Sequence, residues 1–317
     1  MAIASGSSGS STGTGEDFSR FSSRRIGAGT ARERVRTVAW NLDGRRLATG
    51  GTDKSVRIYL PDKDVRSSTE CRGHTGDISC VRWNPVHPER LASVSASGQD
   101  KGLRFWDIRQ GSKPTSVIET YGDNITMAWS PDGRYIVVGN TKDRILWVDV
   151  EEQKIIKRVD MSVETNEALF SHSGTLLTTL CHGDAVITSF PANEPVHKVT
   201  VSEMPATVAD LDPRGRYLAV GSNDTVVSMW ETTDWTCVAT SGVHDDPLRT
   251  CRFSHDGAYL ATSAGGSEIV IHNTPTLSRA TAIPTTAQSG DALAWHPAKT
   301  VLAYTSGQDA WIWGAGV

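Results

Sequence analysis

The stretch Cys71–Arg109 decides how this chain reads. It runs C-R-G-H-T-G-D-I-S-C-V-R-W-N-P from Cys71 to Pro85, L-A-S-V-S from Leu91 to Ser95, and Q-D-K-G-L-R-F-W-D-I-R from Gln99 to Arg109. It opens on Gly73-His74 and closes on Trp106-Asp107, with three short apolar runs between turn residues. A Gly-His start and a Trp-Asp end roughly 30 to 40 residues apart mark one four-stranded blade of a β-propeller. Ile78 to Trp83 alternates and forms the innermost or second strand, Leu91 to Ser95 the next, and Leu103 to Ile108 the third. Asp100 falls in the turn between the last two. In such a blade the Asp100 carboxylate accepts from the His74 ring. The ring reaches a strand serine, Ser93 or Ser95, and the serine meets the Trp106 indole. A buried network of this kind has to be fully satisfied. A sharper reading makes His74 a catalytic base, or makes Cys71 and His74 metal ligands. The glycine before His74, and the Asp and Trp after it, account for the histidine structurally. The expected network is therefore His74, Ser93, Asp100 and Trp106, with no catalytic residue, metal or cofactor.

Working outward, the same skeleton recurs. An alternating strand ends in a large apolar residue; then come a turn, a strand of the L-A-T-G type, a turn with Asp, and a third strand. The strand-ending anchors are Trp40, Trp83, Trp129, Phe170, Leu211, Phe253 and Trp295, spaced 41 to 46 residues apart. That is the period of a four-stranded propeller blade, and seven copies predict seven blades. Asp43-Gly44, Asp132-Gly133, Ser173-Gly174, Arg214-Gly215 and Asp256-Gly257 sit at the first reversal, where glycine supplies positive φ. Asp53, Asp100, Asp143, Asp184, Asp224 and Asp309 recur at the second, and copy six has Gly266 there. Six aspartates at one repeat position are structural, because a general acid–base pair needs two carboxylates in one cleft. Outer fourth strands are expected at Ser68–Arg72, Thr115–Thr120, Ile155–Val159, His197–Val201, Cys237–Ser241 and Ala280–Ile283. The seventh has to come from Phe18–Ile26, so that the N-terminus closes the ring and removes the open edges.

Composition bounds the rest. The chain has 317 residues, a formal charge of −4 and five cysteines (71, 80, 181, 237, 251) with no C-x-x-C pair. Length alone suggests about two domains, and the repeat overrides it in favour of one, residues 18–317. Residues 1–17 are mostly Gly, Ser and Thr and read as a disordered tail. The odd cysteines read as reduced thiols. No apolar run is long enough to span a membrane, and no secretory h-region opens the chain. The net charge is a poor footprint for gripping nucleic acid. Arg20, Arg24, Arg25, Arg32, Arg34 and Arg36 form a basic arm, which reads either as a contact for RNA or an acidic surface or as the strand and loop that lead into the first blade. No phosphate-binding loop, H-E-x-x-H or G-x-S-x-G is present. His182 and His296 are single histidines at repeat turns. Trp235, in T-T-D-W-T, is either a partner contact or packing on an outer strand.

The copies look like a WD40 propeller. Their text resembles one family within that class, subunit 3 of the THO complex, in R-T-V-A-W-N-L-D-G-R-R-L-A-T-G (36–50), G-D-N-I-T-M-A-W-S-P-D-G (122–133), V-G-N-T-K-D (138–143), E-T-N-E-A-L-F (164–170), P-L-R-T-C-R-F-S-H-D-G (247–257) and A-L-A-W-H-P (292–297). The resemblance covers residues 31 to 313. It implies a non-catalytic nuclear scaffold in an assembly that couples transcription to messenger-RNA processing and export, with other THO subunits as partners and a DEAD-box helicase associated indirectly. Weak or no direct RNA binding is expected. A WD40 adaptor of another assembly, a ubiquitin-ligase substrate receptor or a chromatin-complex subunit, is the alternative. Loops on a rigid scaffold carry recognition. The partner-binding candidates are therefore the polar residues entering each first strand, Asp77, Asp123, Asn124, Glu164, Asn166, Asp245 and Asp246, with Arg20, Arg24 and Arg25 on the arm.

Overall fold

In a computed structural model the chain is described over residues 16–27, 33–97, 100–141, 144–161, 165–285 and 289–316. Residues 1–15 of the expected tail, Arg32, Gln99, Asp143 and Glu164 lie outside the described residues. Seven antiparallel four-stranded sheets form a β-propeller, and among the described residues the only helix is a single 3-10 turn, Phe18–Arg20. Six sheets take their strands in chain order. Blade two is Ile78–Trp83, Arg90–Ser95, Gly102–Asp107 and Ser116–Glu119, so Ile78–Trp83 is the innermost strand.

The seventh sheet is closed by the N-terminus. Phe21–Gly27 pairs antiparallel with Asp309–Ala315, matching Ser23 with Trp313, Arg24 with Ile312 and Arg25 with Trp311. Its two faces do different work. Phe21, together with Phe18 from the preceding turn, packs on Trp313, and Phe18 also meets Tyr259 of blade six. Ile26, 1% exposed, lies with Val38 and Leu47 of blade one and with Ile312. The strand thus seals blade seven against both neighbours. Two residues of the expected tail are held as well: the Glu16 amide donates to the Tyr259 hydroxyl, and Asp17 caps the 3-10 turn.

The seams between blades explain the anchors. The indoles of Trp83, Trp129, Trp295 and Trp40 donate to the backbone carbonyls of Ala39, Arg82, Arg252 and Ala294. Each acceptor is the residue before the preceding blade's anchor, so the bond is one contact repeated around the ring. A buried indole N–H needs such a partner. The turn glycines 44, 133, 174, 215 and 257 all have φ near +70°. Each also faces the turn of the preceding blade. A Cβ on Gly44 would come 2.2 Å from the His296 ring, and one on Gly133 2.8 Å from Val86. Glycine is needed there for conformation and for space.

Because strand direction alternates, the loops entering the inner strands and the turns joining second to third strands share one end of the ring. We call this the entry face. Removal of residues 1–27 is expected to cost about 4 kcal/mol or more, since it strips Phe18, Phe21 and Ile26 from their seams. Removal of residues 1–15 is expected to leave the melting temperature unchanged. Thermal melts of the two truncations check this.

Candidate functional site

Blade two contains the four-residue network. The His74 Nδ1–H donates to Asp100 Oδ2 over 2.7 Å. Ser93 Oγ lies 2.6 Å from His74 Nε2 and accepts from the Trp106 indole at 2.8 Å. Asp100 also accepts from the Thr75 amide and, at 2.5 Å, from Arg104. Burial pushes the His74 pKa down, more than the Asp100 carboxylate raises it, so the ring is neutral. Burial pushes Asp100 up, but its hydrogen bonds from His74 and Arg104 outweigh that and hold it below the usual carboxylate range. With Nδ1 carrying the proton, Nε2 accepts from Ser93, and every member of the chain is satisfied. Ser95 is used elsewhere: its hydroxyl donates to the Asp77 carbonyl. Burial pushes the Cys71 thiol up to about 11, and among the described residues no group of three His, Cys, Asp or Glu is placed to hold a metal ion.

Blade six has a different solution at the same place. His244 Nε2 lies 2.8 Å from Thr262 Oγ1, which lies 2.9 Å from His272 Nε2. His272 Nδ1 donates to the Leu277 carbonyl at 3.0 Å. A carbonyl only accepts, so His272 carries its proton on Nδ1. Thr262 then donates to Nε2 and accepts from His244. Among the described residues no aspartate completes the chain; Gly266 holds its place, and the Arg249 guanidinium lies against the preceding Gly265, at φ +87°. Burial, with the His272 ring adding to it, pushes the His244 pKa down to about 4, against the opposing carboxylates of Glu268 and Asp245.

The inner strands enclose a channel of about 190 Å³ at its entry end, lined by Arg36, Arg82, Glu167, Arg249, Arg252 and Asp291 among others. Arg252 pairs with Glu167 at 3.5 Å and donates to the Ala209 carbonyl. Burial pulls Arg252 down, but Glu167 and Asp210 outweigh it and hold it above its ordinary value. Burial pushes the Asp210 carboxyl up, and one of its oxygens accepts from the Phe253 amide. At the mouth, Asp291 is shared by Arg34 at 3.3 Å and Arg249 at 2.9 Å. These groups neutralise one another across blades and brace the inner wall. The sequence reading took Arg34 and Arg36 only as part of a basic arm and missed the others. The signal for Arg82, Asp210 and Arg252 was the column just before each anchor, where the other copies hold Ala or Leu.

The entry face sorts the expected partner-binding residues. Asp245 and Asp246 are exposed, and Asp123 is half-buried. Asp77 pairs with Arg36 at 3.6 Å. Two candidates are corrected. Asn124 is fully buried at the head of the blade-three inner strand, because its backbone pairs with Asn140 and its carbonyl accepts from Ser79 across the seam. Asn166 is half-buried, and its amide donates to the Ala206 carbonyl of blade five. Glu164 lies outside the described residues. On the arm, Arg20 pairs loosely with Asp17 at 3.8 Å, Arg24 donates to the Pro61 carbonyl of blade one and Arg25 pairs with Asp309 at 2.7 Å. Arg24 and Arg25 thus serve ring closure. Trp235 stacks on His197 of the blade-four outer strand, with centroids 5.5 Å apart, so it is packing.

The comparisons with known proteins agree with this geometry. The sequence profile of the WD domain, G-beta repeat family matches residues 24–59, 65–107, 112–148, 193–231 and 235–273, and the chain belongs to that family. The first match starts in the closing strand and ends in the third strand of blade one, so the sequence repeat is offset from the blade by one strand. Within the family the chain is similar to THO complex subunit 3 of Arabidopsis thaliana, with 33% identity over 86% of each chain. It is also similar to WD repeat-containing protein AAC3 of Dictyostelium discoideum, with 30% identity over 84% of this chain and 60% of that one. The solved β-propeller domain of Myceliophteria thermophila Cps50 (Swd1) superposes with a TM-score of 0.81 at 19% identity, covering 93% of this chain and 99% of that one, a likeness of fold.

Two outcomes follow from the networks. His74→Ala leaves Asp100 and Ser93 without their partner and is expected to cost about 1–3 kcal/mol, read by denaturant unfolding. For blade six, the folded chain keeps His244 neutral down to about pH 4, whereas the unfolded histidine titrates at its ordinary 6.5. Between those values the unfolded state binds the extra proton, so stability is full above pH 6.5 and is lost as pH falls through the window. His244→Gln is expected to flatten that part of the stability–pH curve, measured from unfolding midpoints.

Proposed function

We propose that this chain is a non-catalytic scaffold subunit of a THO/TREX-type nuclear complex that couples transcription to messenger-RNA processing and export. The observation that carries this reading is the 33% identity to THO complex subunit 3 over 86% of both chains. The geometry supports a scaffold. Its buried titratable groups are tied up in blade networks and in the channel wall, and Asp245 and Asp246 stand exposed on the loop-bearing entry face. On this reading the partners are other subunits of the complex, with a DEAD-box helicase associated through them. Bare RNA binds weakly, since a chain of net charge −4 lacks the basic stripe that releases counterions from phosphates, and five of the six arginines of the arm already have partners in the fold.

The test is co-purification from nuclear extract with the wild-type chain and with Asp123, Asp245 and Asp246 all changed to Lys. The wild type is expected to return export-complex subunits. The triple variant is expected to lose them at least in part while melting at the same temperature. Recovery of ubiquitin-ligase components without export factors would overturn the reading, and so would tight, salt-sensitive RNA binding by the isolated chain.

A further inference from the structure

Seven strands form the rim of the ring. A rim strand shows unpaired N–H and C=O groups along its free edge, and natural proteins guard such edges with charged residues or proline. Six of the seven carry one or both; the flanking outer strands, for example, hold Pro195 and Lys198 in blade four and Arg279 and Pro284 in blade six. The outer strand of blade five, Cys237–Ser241, reads C-V-A-T-S and has neither.

This edge is also pre-ordered. Its inner side pairs with the third strand of blade five, from Val227 with Ser241 to Trp230 with Cys237, and Trp235 on His197 fixes its start. On its outer side every second residue turns its backbone donor and acceptor to solvent. Val238 is 45% and Val243 39% exposed. Past the strand, a Cβ on Gly242 would meet nothing within 4 Å, so the path onward is open. It leads to Asp245 and Asp246, both exposed and without an ion pair among the described residues.

We propose that blade five takes up an extended segment of a partner protein as a fifth, antiparallel strand, and that this segment carries Lys or Arg at its N-terminal end. Main-chain hydrogen bonds along a free edge supply affinity, and side chains at alternate positions supply selectivity. In the antiparallel sense, which continues the blade, the segment's N-terminus lies beside Asp245 and Asp246. A second copy of this chain fits poorly. Two-fold pairing of the same edge would set Asp245 and Asp246 of each copy towards Asp234 of the other, acid against acid. The inference goes beyond the scaffold reading in naming a surface and a chemistry, and it fails or stands separately from it.

The test uses the full chain and two fluorescein-labelled peptides, Lys-Arg-Thr-Val-Thr-Val-Thr-Val and its reversed sequence, in anisotropy titrations. The Lys-Arg-leading peptide is expected to bind about tenfold more tightly than the reversed one, a difference of about 1.4 kcal/mol. The double variant Val238→Lys/Thr240→Lys, placed at exposed positions, is expected to weaken binding by about tenfold or more with the melting temperature unchanged. Asp245→Asn/Asp246→Asn is expected to abolish the preference between the peptides. The proposal is overturned by three results: no saturable binding by the wild type, equal binding by the lysine variant, or a wild-type dimer in sedimentation that the lysine variant abolishes. Export-complex subunits returned with the lysine variant at wild-type level would leave the scaffold reading standing without this edge.

Discussion

The pairing of Phe21–Gly27 with Asp309–Ala315 is the constraint on which the rest of this molecule rests. A propeller has no common centre of apolar packing; each blade is buried only by its two neighbours. The clusters here follow that rule, each joining residues of adjoining blades, as Phe105 of blade two joins Met127 and Ile136 of blade three. Such a ring is stable only if the last seam is made. That seam joins strands distant in the chain, and Arg25 meets Asp309 across 284 residues of sequence.

Within the closed ring the seams are polar as well as apolar. The indole bonds hold the inner strands at one spacing near the exit turns. Near the entry face, Ser79, Asn166 and Thr207 do the same by donating to the next blade's backbone. Between these two belts the channel wall is braced by Arg252, Glu167 and Asp210. Residues that look like recognition groups in a one-dimensional reading are therefore partly structural. Asn166 is the clearest case: a polar residue in an entry loop whose hydrogen bond is already committed.

How much of this was legible follows from what leaves a period in the sequence. The anchors Trp40 to Trp295 and the five turn glycines recur because each blade repeats one contact with its neighbour, so the fold, the blade count and the closing strand could be read directly. The blade-two chain was legible because His74, Asp100 and Trp106 keep fixed offsets. Blade six was not, since His272 replaces the tryptophan, Thr262 the serine and glycine the aspartate; the network survives only as geometry. The burial of Asn124 was hidden too. Its neighbours in sequence, Tyr121 to Asp123, are those of a loop, and only the cross-strand pairing with Asn140 takes it inside. The six assigned outer strands came within about three residues of their bounds, except in blade one, where the strand starts at Asp64 rather than Ser68.

The closing strand also sets the order of events when the chain is made. It leaves the ribosome before the other strands of the ring, and its partner leaves after them. At about 5 to 20 residues per second the interval is roughly 15 to 60 s. Throughout that time the seventh sheet lacks strands, and Phe18, Phe21 and Ile26 have no pocket to fill. The other blades can stack as they emerge, but the ring cannot lock while its last strand is still in the exit tunnel. Closure therefore waits for that strand to emerge, and until then the nascent chain is an open arc that still has to find its own beginning.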